Sequence, residues 1–161
     1  MKILKFLNDK LEEYFLIGTL VVNLILIFIQ VVMRYVFKSS LTWSEELARY
    51  IFLWQIWVGA AYAAKESQHL RIEVFKKHLS DRGKDILDII VIMIWAAFSI
   101  FLATKSGQLT GILFSRGQLS PAMRIPMGYA YASVPVGCGL MAFRLLQNLY
   151  KKIADLNRKE A

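Results

Sequence analysis

The sequence predicts an all-α integral membrane protein with four transmembrane helices and both termini in the cytoplasm. Three observations carry this: four long apolar stretches within 161 residues, charges gathered between those stretches, and an uneven distribution of basic residues among the connecting segments. The stretches run from about 14 to 37, 47 to 64, 86 to 104 and 127 to 149. An α-helix rises about 1.5 Å per residue and the hydrocarbon layer is about 30 Å thick, so roughly 20 residues suffice to cross. Hydrophobic residues make up 57% of the chain and mean hydropathy is +0.44, while 20% of residues are charged. A soluble four-helix bundle would carry polar stripes at helical spacing. The run Leu20 to Ile29 has Asn23 as its one polar residue and no stripe, which argues against that reading.

The first stretch follows Lys2, Lys5 and Lys10, as a signal peptide would. It is longer than a signal core and no small-x-small cleavage site follows, so it is expected to remain as the first helix. Basic residues concentrate in the N-terminal segment, in the second loop (Lys65, Arg71, Lys76, Lys77, Arg82, Lys84) and in the C-terminal tail, where Arg144, Lys151, Lys152, Arg158 and Lys159 are counted. The first and third loops hold fewer. Cytoplasmic loops carry the excess of Lys and Arg, which places both termini inside. The net charge of +8 is accounted for by anionic headgroups and requires no nucleic acid.

The apolar stretches lack the groups that membrane chemistry needs. A haem anchor requires histidines in the bilayer, and His69 and His78 both lie in the second loop. A proton-coupled pump requires a titratable group deep in a span. Every Asp and Glu here falls in a terminus, a loop or about a turn from a helix end. Cys138 stands alone, so it forms neither an intrachain disulfide nor a thiol metal site. No phosphate loop, paired-carboxylate site or nucleophile triad is visible, and no catalytic residue, metal or cofactor is expected.

Polar residues near the membrane cluster in the first loop, Arg34 to Tyr50. Thr42 or Ser44 is placed to cap the second helix, and Thr42 to Glu45 has capping-box spacing. Glu45 and Glu46 then occupy the first turn, favoured by the helix dipole. Arg49 follows them at four and three residues, within reach of either, and Arg34 is a second candidate partner. Either these charges form a solvated cap, or two arginines and two glutamates lock the first two helices together.

This segment resembles the small membrane subunit, DctQ-type, of tripartite ATP-independent periplasmic (TRAP) transporters. The resemblance rests on Arg34-Tyr-Val-Phe, then Ser40-Leu-Thr-Trp43-Ser-Glu-Glu-Leu-Ala-Arg49-Tyr50, then Gly59-Ala-Ala, His69-Leu-Arg-Ile-Glu73 and Gln118-Leu-Ser-Pro121-Ala-Met-Arg-Ile-Pro126-Met. It covers nearly the whole chain. It implies a non-catalytic scaffold in the bacterial inner membrane, associated one to one with a large membrane subunit and working with a periplasmic substrate-binding protein. The large subunit would carry the substrate and sodium sites. Family substrates are mostly organic acids such as C4-dicarboxylates and sialic acid. The candidate interface residues are Arg34, Trp43, Glu45, Glu46, Arg49, Tyr50, Trp54 and Trp57. The alternative is a self-contained small transporter acting as a homodimer, with Arg49 or Gln55 in its pathway.

Helix geometry assigns the surfaces. In the second helix, Tyr50, Trp54, Trp57, Ala61 and Ala64 share one face, whose Tyr50–Trp54–Trp57 stripe is expected to meet lipid or the large subunit. Gln55, Gly59 and Tyr62 lie opposite and are expected to make intrachain contacts. Pro135 in the fourth helix denies a hydrogen bond to the Tyr131 carbonyl, so a kink is expected there; with no charge beside it, the kink sets shape. The second loop, 65 to 85, mixes basic and apolar residues as an interfacial segment does, although His69 to Phe75 alternates like a strand. The third loop, 105 to 125, is expected to extend the third helix and to offer a periplasmic contact for the binding protein.

Overall fold

The computed structural model of the chain describes residues 2–66 and 81–160, and over these it is helical. Helix α1 spans Lys2–Tyr35, α2 Thr42–Lys65, α3 Asp81–Ser115, the one-turn α4 Gly128–Tyr131 and α5 Ser133–Glu160. Among the described residues, three helical segments are long and apolar enough to cross a membrane: Lys10–Tyr35, Gly83–Ser115 and Gly128–Ala154. At 24 residues α2 is shorter than these but still long enough to cross. It falls short in apolarity, because Arg49, Gln55 and four Tyr or Trp residues interrupt its aliphatic run.

The long helices pack in the order α1, α2, α5, α3. Only 6% of the apolar window of α1 is buried, against 44% for the last span. α5 is therefore the central element and α1 an outer one. Contacts at Leu16–Gly59 and Thr19–Gln55 make α1 antiparallel to α2. The pairs Trp57–Gly137 and Ala64–Asn148 make α2 and α5 run side by side in the same direction.

Small residues set these approaches. Ala61 and Ala64 of α2, Ala96 and Ile92 of α3, and Met141 and Leu145 of α5 form the shared core. Helices in a bilayer gain little from apolar burial against equally apolar lipid, so close backbone contact supplies the dispersion that joins them. Gly137 is the tightest point. A Cβ there would lie 2.7 Å from the Trp57 carbonyl carbon, inside contact distance.

The fourth apolar stretch is two consecutive helices joined through Ala132, whose own backbone stays helical (φ −60°, ψ −21°). Ala132 lies between α4 and α5, so that Pro135 falls in the first turn of α5. In a first turn the missing proline N–H has no helical acceptor to disappoint. Ala132 N–H still reaches the Gly128 carbonyl at 2.8 Å, and the Ser133 hydroxyl donates to the Ala130 carbonyl at 2.7 Å. As expected for the third loop, α3 extends beyond its apolar stretch, continuing to Ser115.

The capping box is corrected. α2 begins at Thr42 after Leu41, with no side-chain cap; the Ser44 hydroxyl donates to the Leu41 carbonyl at 2.8 Å. The hydroxyl thus faces backward to an acceptor, and the Ser44 N–H bonds the same Leu41 carbonyl at 3.2 Å. The expectations for His69 to Phe75 fall on residues 67–80, outside those described.

Candidate functional site

Two interhelical polar clasps hold the bundle, one near each end. The first forms where α2 begins. Beyond α3 the chain makes a tight loop, with a left-handed Gly117 (φ +60°) and Arg124 (φ 54°) and an isolated pairing of Leu119 with Pro126. Ser120 N–H bonds the Ile125 carbonyl at 2.8 Å and Ile125 N–H bonds the Ser120 hydroxyl oxygen at 3.3 Å. This turn points two successive N–H groups, Ala122 and Met123, at one Glu46 carboxylate oxygen, at 2.8 and 3.1 Å. The other oxygen accepts from the Tyr50 hydroxyl at 2.8 Å. The Ser120 hydroxyl, followed by the Tyr50 hydroxyl and those two N–H groups, holds the Glu46 carboxyl at about 2 against the opposing effect of burial. Bonds to the charged form favour it, so Glu46, one residue before the second apolar stretch, is a fixed anion binding a backbone nest.

The second clasp lies at the other end. Arg144 of α5 donates from Nε to Glu12 of α1 at 2.9 Å and from Nη1 to Gln147 at 3.0 Å. The two charged side chains are 6% and 2% exposed, and Lys65 of α2 stands 3.9 Å from the second Glu12 oxygen. Asn148 donates to the Ala64 carbonyl at 2.8 Å, and Lys152 reaches Asp85 and Asp88 of α3 at 2.7 and 3.1 Å. Arg144, Gln147, Asn148 and Lys152 form one stripe of α5, spaced to share a face. That stripe ties the central helix to all three long neighbours.

The sequence-based cluster of Arg34, Glu45, Glu46 and Arg49 does not form as one lock. Glu45 and Arg49 pair at 3.5 Å on the surface, 57% and 68% exposed. Glu46 turns the other way, into the loop after α3. Consecutive helical residues diverge by about 100°, so two adjacent glutamates cannot serve one partner. Arg34 is exposed at the end of α1, and among the described residues it pairs with neither glutamate. Trp43 is exposed in the first turn of α2.

The aromatic face of α2 also makes contacts within the chain. The Trp54 indole N–H donates to the Tyr129 carbonyl at 3.1 Å, Tyr50 bonds Glu46, and the Trp57 backbone carries Gly137. That face meets α4 and α5 of the same chain, because the small residues of α5 admit it. Gln55 donates to the Thr19 hydroxyl at 3.3 Å and Gly59 faces Leu16, so the opposite side meets α1.

Glu12, Lys65, Arg144 and Asn148 were missed as a group. The signal for Arg144 was present: it is the only charge between Arg124 and Lys151, and it lies within an apolar run rather than beyond it. A charge inside a span requires a buried partner. Among the described residues, no three His, Cys, Asp or Glu side chains converge as a metal site.

Two concavities flank the first half of α2. One, of about 600 Å³, lies between α2 and the segment Pro121 to Val134, with Glu46 and Tyr50 in its wall. The other, of about 410 Å³, lies between α1 and α2 and is closed at one end by Tyr129.

The family model for the DctQ component of tripartite ATP-independent periplasmic transporters matches residues 24–155, which contain both ends of α2, the loop after α3 and the α5 stripe. The chain belongs to this DctQ family. It is 30% identical over 153 residues to the isethionate TRAP transporter permease protein DctMQ of Oleidesulfovibrio alaskensis, covering 91% of this chain and 24% of that one. It is 27% identical to the sialic acid TRAP transporter small permease protein SiaQ of Vibrio cholerae, covering 93% of this chain and 86% of the relative. It is 29% identical to the C4-dicarboxylate TRAP transporter small permease protein DctQ of Rhodobacter capsulatus, covering 67% and 48%. The chain thus spans about a quarter of the isethionate permease and about half of the dicarboxylate one. The DctMQ relative carries its matching region within one longer polypeptide. As a DctQ-family chain with three helices able to cross a bilayer, this is a multi-pass membrane protein with a part in transport.

Proposed function

We propose that this DctQ-family chain is a non-catalytic scaffold for a large permease subunit, bound one to one in the bacterial inner membrane. The observation that carries the reading is the use of its buried charges. Glu12, Glu46 and Arg144 are the buried charged side chains among the described residues, and each is bound to another segment of this same chain. Charges committed to holding segments of the chain together are not free to change partners with a passing solute. A transport site needs ion or substrate ligands that change partners during the cycle.

In this reading α2 is the fourth span. Its 24 residues reach about 36 Å, and Arg49, Glu45 and Trp43 sit at its first turns, where an interface accommodates them. Both termini face the cytoplasm. Sodium coupling resides in the large subunit, and a periplasmic binding protein delivers an organic acid of the C4-dicarboxylate or sialic acid kind. The equal stoichiometry is supported by the DctMQ relative, since one polypeptide holding both parts contains one of each.

The test is co-purification in mild detergent with the large subunit, followed by uptake in vesicles. Together the two should import in a sodium-dependent way with the binding protein. This chain alone should move nothing. Recovery as a stable homodimer in the presence of the large subunit, or uptake by this chain alone, would reject the scaffold in favour of a self-contained small transporter.

A further inference from the structure

The concavity of about 600 Å³ between α2 and the segment Pro121 to Val134 is polar at one end and apolar at the other. Thr42, Glu45 and Arg49 line it in the first turns of α2, while Leu53, Ala130 and Val134 line it further along. Leu53 lies about three turns beyond Thr42, roughly 16 Å along the helix axis. With α2 as a span, the polar end stands at the headgroups and the apolar end in hydrocarbon. The wall is held without any ligand: Glu46 accepts from the Ala122 and Met123 N–H groups and from the Tyr50 hydroxyl. The groove is therefore formed in advance, and little has to be ordered on binding.

Two charges at the mouth keep capacity to spare. Glu45 and Arg49 meet only at 3.5 Å and stay 57% and 68% exposed, which leaves most of the carboxylate and guanidinium free for a further partner. Glu46 is in the wall too, so the lining holds two carboxylates against one guanidinium. An anionic headgroup would be repelled by that surplus, whereas a headgroup with its own cation offsets it. We infer that this groove binds one phospholipid with a zwitterionic, primary-amine headgroup: phosphate on Arg49, ammonium on Glu45, an acyl chain along Leu53 and Val134. The guanidinium fork donates to phosphate oxygens in pairs, and the ammonium N–H groups donate to the carboxylate. A quaternary ammonium has no N–H to donate, so choline lipids fit less well. The site is additional to the scaffold role and rests on the placement of α2 across the bilayer.

Native mass spectrometry of the full chain in detergent, with phosphatidylethanolamine, phosphatidylcholine or phosphatidylglycerol of matched acyl chains, tests the site. The expected result is one retained lipid, with phosphatidylethanolamine held about tenfold more tightly than the other two, the scale of one charge-assisted hydrogen bond. Arg49→Gln should weaken all three. Glu45→Gln should weaken phosphatidylethanolamine alone and erase its preference. The pair is exposed and holds no helices together, so both variants should melt as the parent does. Equal retention of the three headgroups by the parent, or a preference that survives Glu45→Gln, overturns the proposal and leaves an ordinary annular lipid. The placement of α2 is read separately, from a fluorophore on the Leu53→Cys variant, where the buried Cys138 stays unlabelled. Lipids brominated in their acyl chains should quench it. Without quenching, the span placement falls and the site with it. With quenching and no headgroup preference, only the lipid site falls.

Discussion

Arg144 and Glu12, 132 positions apart in sequence, meet at 2.9 Å with almost no exposure, and they join the central helix to the outermost one. The outer helix has little else to hold it to α5. A bilayer offers apolar side chains no reason to leave lipid for one another, so polar contacts and close packing fix which neighbour a helix takes.

Breaking that pair by one side should therefore be worse than removing both. Arg144→Leu leaves Glu12 buried with a distant Lys65, and the loss is expected at about 3–5 kcal/mol. Replacing both residues by Leu removes the uncompensated charge and should recover most of that loss. A double-mutant cycle on thermal unfolding in detergent measures the coupling. Equal and additive losses would show that the pair is not a unit.

Arg49→Ala is expected to be nearly silent. Its pair with Glu45 is more than half exposed on both sides, and such pairs contribute about 0–1 kcal/mol. Glu46→Ala, by contrast, removes the acceptor of the Ala122 and Met123 N–H groups and frees the loop after α3. The amount of intact complex recovered with the large subunit, compared for the two variants, separates the roles. A marked loss from Arg49→Ala would restore the four-charge lock at the start of α2.

The Glu46 clasp also gives an acid signature. Its folded carboxyl is lowered from 4.5 to about 2, so its stabilisation is fully present above about 4.5. It is lost as pH falls from there toward 2, because the unfolded chain takes up the proton first. Between pH 5 and 8 the loop should be indifferent to pH. Tryptophan emission reports on this region through Trp54, and Glu46→Gln should remove the part of its acid transition that falls between those two values.

Gly137→Ala should destabilise by about 1–3 kcal/mol, because the new methyl meets the backbone of Trp57 and α2 must move away from α5. Gly139 on the same helix has nothing within 4 Å of its would-be Cβ. Gly139→Ala should be neutral, which separates crowding from any general sensitivity of the helix to alanine. Melting temperatures of the two variants in one detergent decide it.

Much of the architecture is carried by local pattern. The uninterrupted apolar runs mark a helical membrane chain, since backbone groups in hydrocarbon must bond within their own helix. The side of α2 bearing Gln55 and Gly59 follows from the 3.6-residue period alone. The first-loop block from Arg34 to Tyr50 likewise pointed to the DctQ family before any contact was known.

Contacts between distant segments carry the rest. Nothing in the pair Glu45-Glu46 tells which one faces solvent until the loop after α3 presents its two N–H groups to one side of α2. Arg144 looked like the edge of a basic tail, and Glu12 like part of a charged N-terminus, until helix order brought them together. Periodicity describes which residues share a face; it contains no information about which helix that face meets or how far one helix slides along the next. Those depend on the sum of many small packing terms, the approach of Trp57 to Gly137 among them, and the ionic partners are settled by the register that results.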